Sequence, residues 1–211
     1  MASRFILSVL CMVALTTHSA LAAETSARCK GLWSAASQQP HVGDAYTADE
    51  IPSPNKQYVL SFTEAAVQFS HQGGKPIDIV IPINLSLMEV VWAPTSDAFA
   101  INVSDGDASG PWQMFVFRVD ANNAPQAIAL GNIKIEAKEF ASCKGDKSLN
   151  VVAIGWLAQE KELAVAITPE SCRNNGARLM LRVSAAGKII EQLSLDEFKK
   201  RWPQSGGCRL Q

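Results

Sequence analysis

The sequence has little of what most chemistry uses. Three histidines and two tyrosines stand among its 211 residues. No G-x-S-x-G occurs, and Gly31, Leu32, Trp33, Ser34 does not fit one, so a serine nucleophile elbow has no support. No C-x-x-C is present, which removes thioredoxin-type redox chemistry. No two cysteines lie two to four residues apart and no histidine neighbours one, so zinc-ligand spacing is missing too. Gly73, Gly74, Lys75 lacks the longer Walker spacing and reads as a turn. Excess charge of either sign is also absent: the formal net charge is -1. Such a chain has no field strong enough to hold phosphate backbones, and nucleic acid is not expected as a partner.

The one long apolar run lies at the start. Met1 to Arg4 is a short basic opening, Phe5 to Leu15 is apolar, and Ala20, Leu21, Ala22 fit the small-x-small rule for cleavage. Thr16, Thr17 and His18 break the run well short of the roughly 18 residues a membrane helix needs. Residues 1–22 are therefore expected to be a signal peptide, with no membrane insertion afterwards and an exported product, periplasmic or extracellular. Leu10 before Cys11 is too large for a lipobox. Cleavage would leave 189 residues carrying 18 cations and 20 anions, enough for one domain with a real core.

Cys29, Cys143, Cys172 and Cys208 then remain, an even number in an oxidising compartment, and two disulfides are expected. Three connectivities are open. Pairing Cys143 with Cys172 and Cys29 with Cys208 is preferred, since the first ties a connector to a loop and the second fastens the two ends of the mature chain. A loop of about thirty residues restricts the unfolded state by roughly 3–4 kcal/mol on the chain-entropy model.

Residues 23–53 read as an irregular amino-terminal arm, punctuated by Pro40, Gly43 and Pro52, with Trp33 and Tyr46 as its large anchors. The arm is expected to lie across the body. Residues 54–211 read as one β-rich repeat domain. Strand patterns fall at Tyr58–Phe62, Ala65–Phe69, Asp78–Ile83, Met88–Trp92, Phe99–Val103 and Trp112–Val119, the last expected to be longest. They resume at Val151–Trp156, Leu163–Thr168, Arg178–Val183 and Lys188–Leu193. Helical spacing appears between Asn132 and Ser142, and the capping box Ser194, Leu195, Asp196, Glu197 opens a second short helix ending before Pro203. Leu195, Phe198 and Trp202 would share its buried face, while Lys199, Lys200 and Arg201 read as its solvated face.

An internal repeat at a spacing of 64 sets Trp92 against Trp156, and Phe117, Arg118, Val119 against Leu181, Arg182, Val183. A weaker copy begins at Ser53, Pro54, Asn55. With Trp-x-Pro-x-Ser-Asp at the head of a hairpin, the arrangement over Pro52 to Leu193 resembles blades of TolB-like and WD40-like β-propellers. What the resemblance implies is a binding scaffold with function on its loops. Closed propellers use about four to eight blades and three units cannot close a ring. The expected fold is thus mainly β: an open or degenerate propeller-like antiparallel stack, or a β-sandwich, with two short helices. Trp92 and Trp156 read as core fillers.

For function, the best candidate for a specific site is the loop Ser104–Gly110, whose Asp105 and Asp107 could hold a cation or ligand, although Asp-Gly also serves simply as a turn. His41 and His71 read as solvated. Asn84-Leu85-Ser86 and Asn102-Val103-Ser104 match glycosylation acceptors. No cofactor and no catalytic residue is assigned. The expected role is a binding or interaction module whose loops meet a protein, peptide or glycan; the alternative is a secreted hydrolase with an acidic loop site.

Overall fold

A computed structural model describes residues 32–34, 36–40, 49–104, 106, 111–130, 149–157, 161–169 and 179–203. The chain is mainly β; the described residues form three antiparallel four-stranded sheets, none closed, one α-helix and a 3-10 turn at Leu85–Leu87. The expected signal segment, the expected helix between Asn132 and Ser142, and Cys29, Cys143, Cys172 and Cys208 lie outside the described residues.

Each sheet is a meander in chain order. The first contains β1 (Asp49–Pro52), β2 (Tyr58–Phe62), β3 (Val67–His71) and β4 (Ile77–Ile79). The second contains β5 (Met88–Trp92), β6 (Ala98–Ser104), β7 (Trp112–Val119) and β8 (Pro125–Ile128). The third contains β9 (Leu149–Leu157), β10 (Glu162–Pro169), β11 (Leu179–Ser184) and β12 (Ile189–Ser194), followed by α1 (Leu195–Arg201).

Three details differ from the sequence reading. The strand expected over Asp78–Ile83 stops at Ile79: Val80 is 96% exposed, so nothing packs on it, and Pro82 lacks the N–H a ladder would use. β1, inside the stretch read as an irregular arm, and β8 were not foreseen. Both are four-residue edge strands with a proline at one end, where a missing donor faces solvent and costs no ladder bond. Finally β9, with 9 residues, is longer than β7, with 8.

Two turn designs recur. Ser53 N–H bonds Tyr58 O and Lys56 N–H bonds Ser53 O; Ala93 N–H bonds Ala98 O and Ser96 N–H bonds Ala93 O. Pro54 and Pro94 set the negative φ of the first turn residue, while Lys56 and Ser96 take left-handed φ values of 61° and 64°. The second design joins the third and fourth strands. Asp120 and Ser184, 64 residues apart, accept from Asn123 and Gly187, whose φ values are 60° and 78°. At Gly187 a Cβ would lie 2.5 Å from the Ala129 carbonyl oxygen, so glycine is required there on both counts.

The repeat is legible in the packing. Trp92, Phe117 and Val119 of the second sheet join the core formed with the first sheet through Leu60, Phe62, Val67 and Phe69. Their counterparts Trp156, Leu181 and Val183 join the core between the third sheet and Val91, Ala100 and Val116 of the second. The repeated residues are thus those that face the preceding sheet. Both faces of the second sheet are covered, and β6 is buried at every position. In the first sheet, where no sheet precedes, the corresponding face carries Pro52, Val59, Ser61 and Gln68, all partly or fully exposed. On the far side of the third sheet, Val152, Ile154, Ala166 and Met180 meet Trp33, Trp112, Phe198 and Trp202. The two ends of the stack therefore differ, one polar and one covered, and neither presents a face to close on the other.

Helix α1 forms where the capping box placed it. Ser194 Oγ accepts from Glu197 N–H, and the Glu197 carboxylate accepts from Ser194 N–H at 3.0 Å. Phe198 is fully buried and Leu195 and Trp202 pack beside it, as their spacing requires. Arg182 bridges Glu162 and Glu191 at 2.7 Å each, Arg201 adds a 2.7 Å contact to Glu191, and both guanidinium groups stack on Trp202. Hydrogen bonds from Arg182 and then Arg201 hold the Glu191 carboxyl below its ordinary value of 4.5, and Ser194 does the same for Glu197. Because the folded state favours the ionised form, this stability is present above about pH 4.5 and is lost as pH falls through the lowered folded values. Thermal melting is expected to decline below about pH 4.5, and less steeply in a Glu191→Gln/Glu197→Gln double variant. A double variant with an unchanged pH slope would rule these two carboxyls out as its source.

Candidate functional site

The β1–β2, β5–β6 and β9–β10 turns lie at one end of the stack, together with the turns between third and fourth strands. Direct contacts join them: Asn55 N–H donates to Ser96 Oγ at 3.0 Å, Val119 N–H to Asp97 O at 2.9 Å, and Tyr58 Oη to Asn123 Oδ1 at 2.9 Å. His71, expected to be solvated, is half-buried here with its ring 5.5 Å from that of Tyr58.

At each sheet junction this end opens into a cleft. Between the first and second sheets a space of about 210 Å³ is lined by Pro52, Ser53, Pro54 and Lys56 of the β1–β2 turn, Val90 and Trp92 of β5, and Ala36 and Gln38 of the arm. Between the second and third sheets a small hollow of about 20 Å³ is lined by Pro94, Thr95 and Asp97 of the β5–β6 turn and by Trp156, Lys161 and Ala185. Both clefts combine a tryptophan, a turn proline and a lysine. Lys56 and Lys161 carry left-handed φ values of 61° and 50°, and neither has an ion-pair partner among the described residues. The two indoles differ. Trp156 Nε1 donates to Val91 O at 3.0 Å, whereas Trp92 Nε1 is buried without a hydrogen-bond partner, its ring 4.8 Å from Phe99. Trp92 and Trp156 are thus core residues on one side and cleft walls on the other.

Ser104 and Gly106, the described residues of the acidic loop, lie at the opposite end. Ser104 and Trp112 are the loop's paired flanks, and Asn84 Nδ2 donates to Gly106 O at 3.0 Å. Asp105 and Asp107 lie outside the described residues, as does His41. Asn150 Oδ1 accepts from Trp112 N–H, and three buried polar atoms, Trp112 Nε1, Asn150 Nδ2 and Thr168 Oγ1, have no partner among the described residues. Of the two glycosylation matches, Asn102 is fully buried and cannot accept a glycan in the folded chain.

Sequence reading missed the most connected polar residue, Glu89. It sits fully buried in β5, where Oε2 accepts from Leu32 N–H at 2.7 Å and Trp33 N–H at 3.1 Å. Oε1 accepts from Asn102 Nδ2 at 2.8 Å. Ser37 Oγ lies 2.8 Å from Oε2 and 2.9 Å from Ser34 O, and its single proton serves one of them. Asn102 continues the network to the third sheet, bonding both Ala153 O and Ala153 N–H. The available signal was a lone acid in the apolar run Met88–Trp92. Through this network, the Trp33–Trp112 contact at 5.8 Å and a two-bond bridge from Gln38 to Val90, residues 32–40 lie against the body. The sequence matches no protein-family model and no curated protein.

Proposed function

We propose that the protein is an exported binding module, a partial propeller-like array whose turn end meets a protein, peptide or glycan. The observation that carries this reading is the cleft at the first sheet junction, which brings together an aromatic wall, a rigid proline turn and a cation unpaired among the described residues, with a smaller hollow of the same make-up at the second junction. Concave sites with apolar walls and a few polar groups are where ligands bury most of their surface. Both clefts are set by hairpin turns anchored in buried strands, a placement that keeps them in shape without a ligand.

Arrays of peptides, glycans and proteins from the export compartment, probed with the mature chain, are expected to yield saturable binding that Lys161→Glu weakens at least tenfold. Binding indifferent to Lys161 and Lys56 but lost in Asp105→Ala would move recognition to the acidic loop. Substrate turnover by the pure protein, abolished by Asp105→Ala, would replace the module with the hydrolase reading.

A further inference from the structure

Strand β5 is an edge strand whose outer ladder is only partly used. Ala93 N–H bonds Ala98 O, so the neighbouring pair Trp92 and Phe99 is the one whose backbone groups point away from each other. Val90 has the same parity as Trp92, and its outward groups are taken by the arm: Val90 N–H donates to Gln38 O at 2.8 Å and Val90 O accepts from Gln38 N–H at 2.9 Å. One step further, antiparallel pairing would set Ala36 opposite Trp92. The arm does not continue, because Ala36 N–H bonds Ser34 Oγ and Ser37 N–H bonds Ser34 O, a turn that carries the chain off the edge. Among the described residues nothing pairs with the outward N–H and C=O of Trp92. Trp92 also lines the cleft bounded by Gln38, Pro52, Pro54 and Lys56.

From this we infer that the free edge at Trp92 takes an extended peptide by strand addition, with an acidic side chain of that peptide meeting Lys56. The inference deepens the binding-module reading and rests on it. Backbone groups left open beside a strand already bridged at Val90 favour a main-chain ligand, which repeats at Trp92 the donor and acceptor that Gln38 presents to Val90. Pro52 and Pro54 offer no N–H of their own to compete for it. Lys56, exposed and without a carboxylate partner, supplies the charge complementarity.

The test uses the mature full chain and a displayed library of random heptapeptides. Enriched sequences are expected to share one acidic position, to bind Lys56→Glu at least tenfold more weakly, and to bind that variant better when the acid is changed to lysine. Binding is expected to slow amide hydrogen exchange at Trp92, and peptides N-methylated at alternate residues are expected to lose it. A selection that enriches nothing overturns the peptide edge; if glycans or folded proteins still bind the chain, the module itself survives. Enriched peptides that tolerate both N-methylation and Lys56→Glu also overturn it, as does concentration-dependent dimerisation that Lys56→Glu abolishes, which would assign the edge to a second copy. Circular dichroism of Lys56→Glu separates loss of contact from loss of fold.

Discussion

Glu89→Ala is expected to lower folding stability by about 3–5 kcal/mol and to release residues 32–40 from the body. The fully buried side chain accepts from two arm amides, that of Leu32 partly buried and that of Trp33 buried, and from Asn102. Each buried donor left without an acceptor costs about 1–3 kcal/mol, and alanine strands two at once, with the partly buried Leu32 N–H adding a smaller loss. Urea unfolding gives the magnitude, and amide exchange at Leu32 and Trp33 reports the release. Glu89→Gln is the sharper control: it keeps the shape but turns one acceptor into a donor that faces donors, so it is expected to destabilise nearly as much. A loss under about 1 kcal/mol, with arm protection intact in both variants, would show that the network does not hold the arm.

Phe99→Ala is expected to cost about 3–5 kcal/mol by opening a cavity between the first two sheets. Phe99 is fully buried, and its ring lies 4.8 Å from Trp92, 5.0 Å from Phe117 and 5.9 Å from Phe69. It therefore stands where both sheets and the first cleft wall meet. Phe117→Ala, at a 7% exposed position, leaves a space that water and neighbours relieve more easily, and its cost is expected to be smaller. The reverse order, measured by denaturant midpoints, would place the packing centre elsewhere.

Strands with strong period-two patterning and the helix α1 were legible in the sequence because local chemistry sets them. Tyr58–Phe62 and Met88–Trp92 formed with the expected bounds, and Ser194 and Glu197 capped the helix as their spacing demands. β1 and β8 escaped because a short edge strand needs only half its backbone bonds and no apolar alternation. The role of Trp92 was half legible: its period assigns it to the core, but which of its sides meets a cleft depends on a turn 40 residues earlier. Glu89 was hidden for a related reason. Its arm donors lie more than 50 residues away, and no spacing rule links the two. Asp105 and Asp107, which the composition did single out, lie beyond the described residues, and the clefts stand at the other end of the stack.

The second and third sheets do not share one ladder throughout. Trp92 pairs with Phe99 as Trp156 pairs with Leu163, and Val119 pairs with Pro125 as Val183 pairs with Ile189. Between those hairpins the match slips: Phe99 opposes Phe117, while Leu163 opposes Val183, two residues beyond its counterpart. A slip of one would have turned every side chain of β11 over, exposing Leu181 and driving Arg182 inward. A slip of two leaves inside and outside unchanged. The middle of a sheet can therefore slide by two without turning its faces over, whereas the one-residue shifts of the third sheet, between Ala164 and Val165 and between Arg182 and Val183, are taken up by bulges in the flanking ladders.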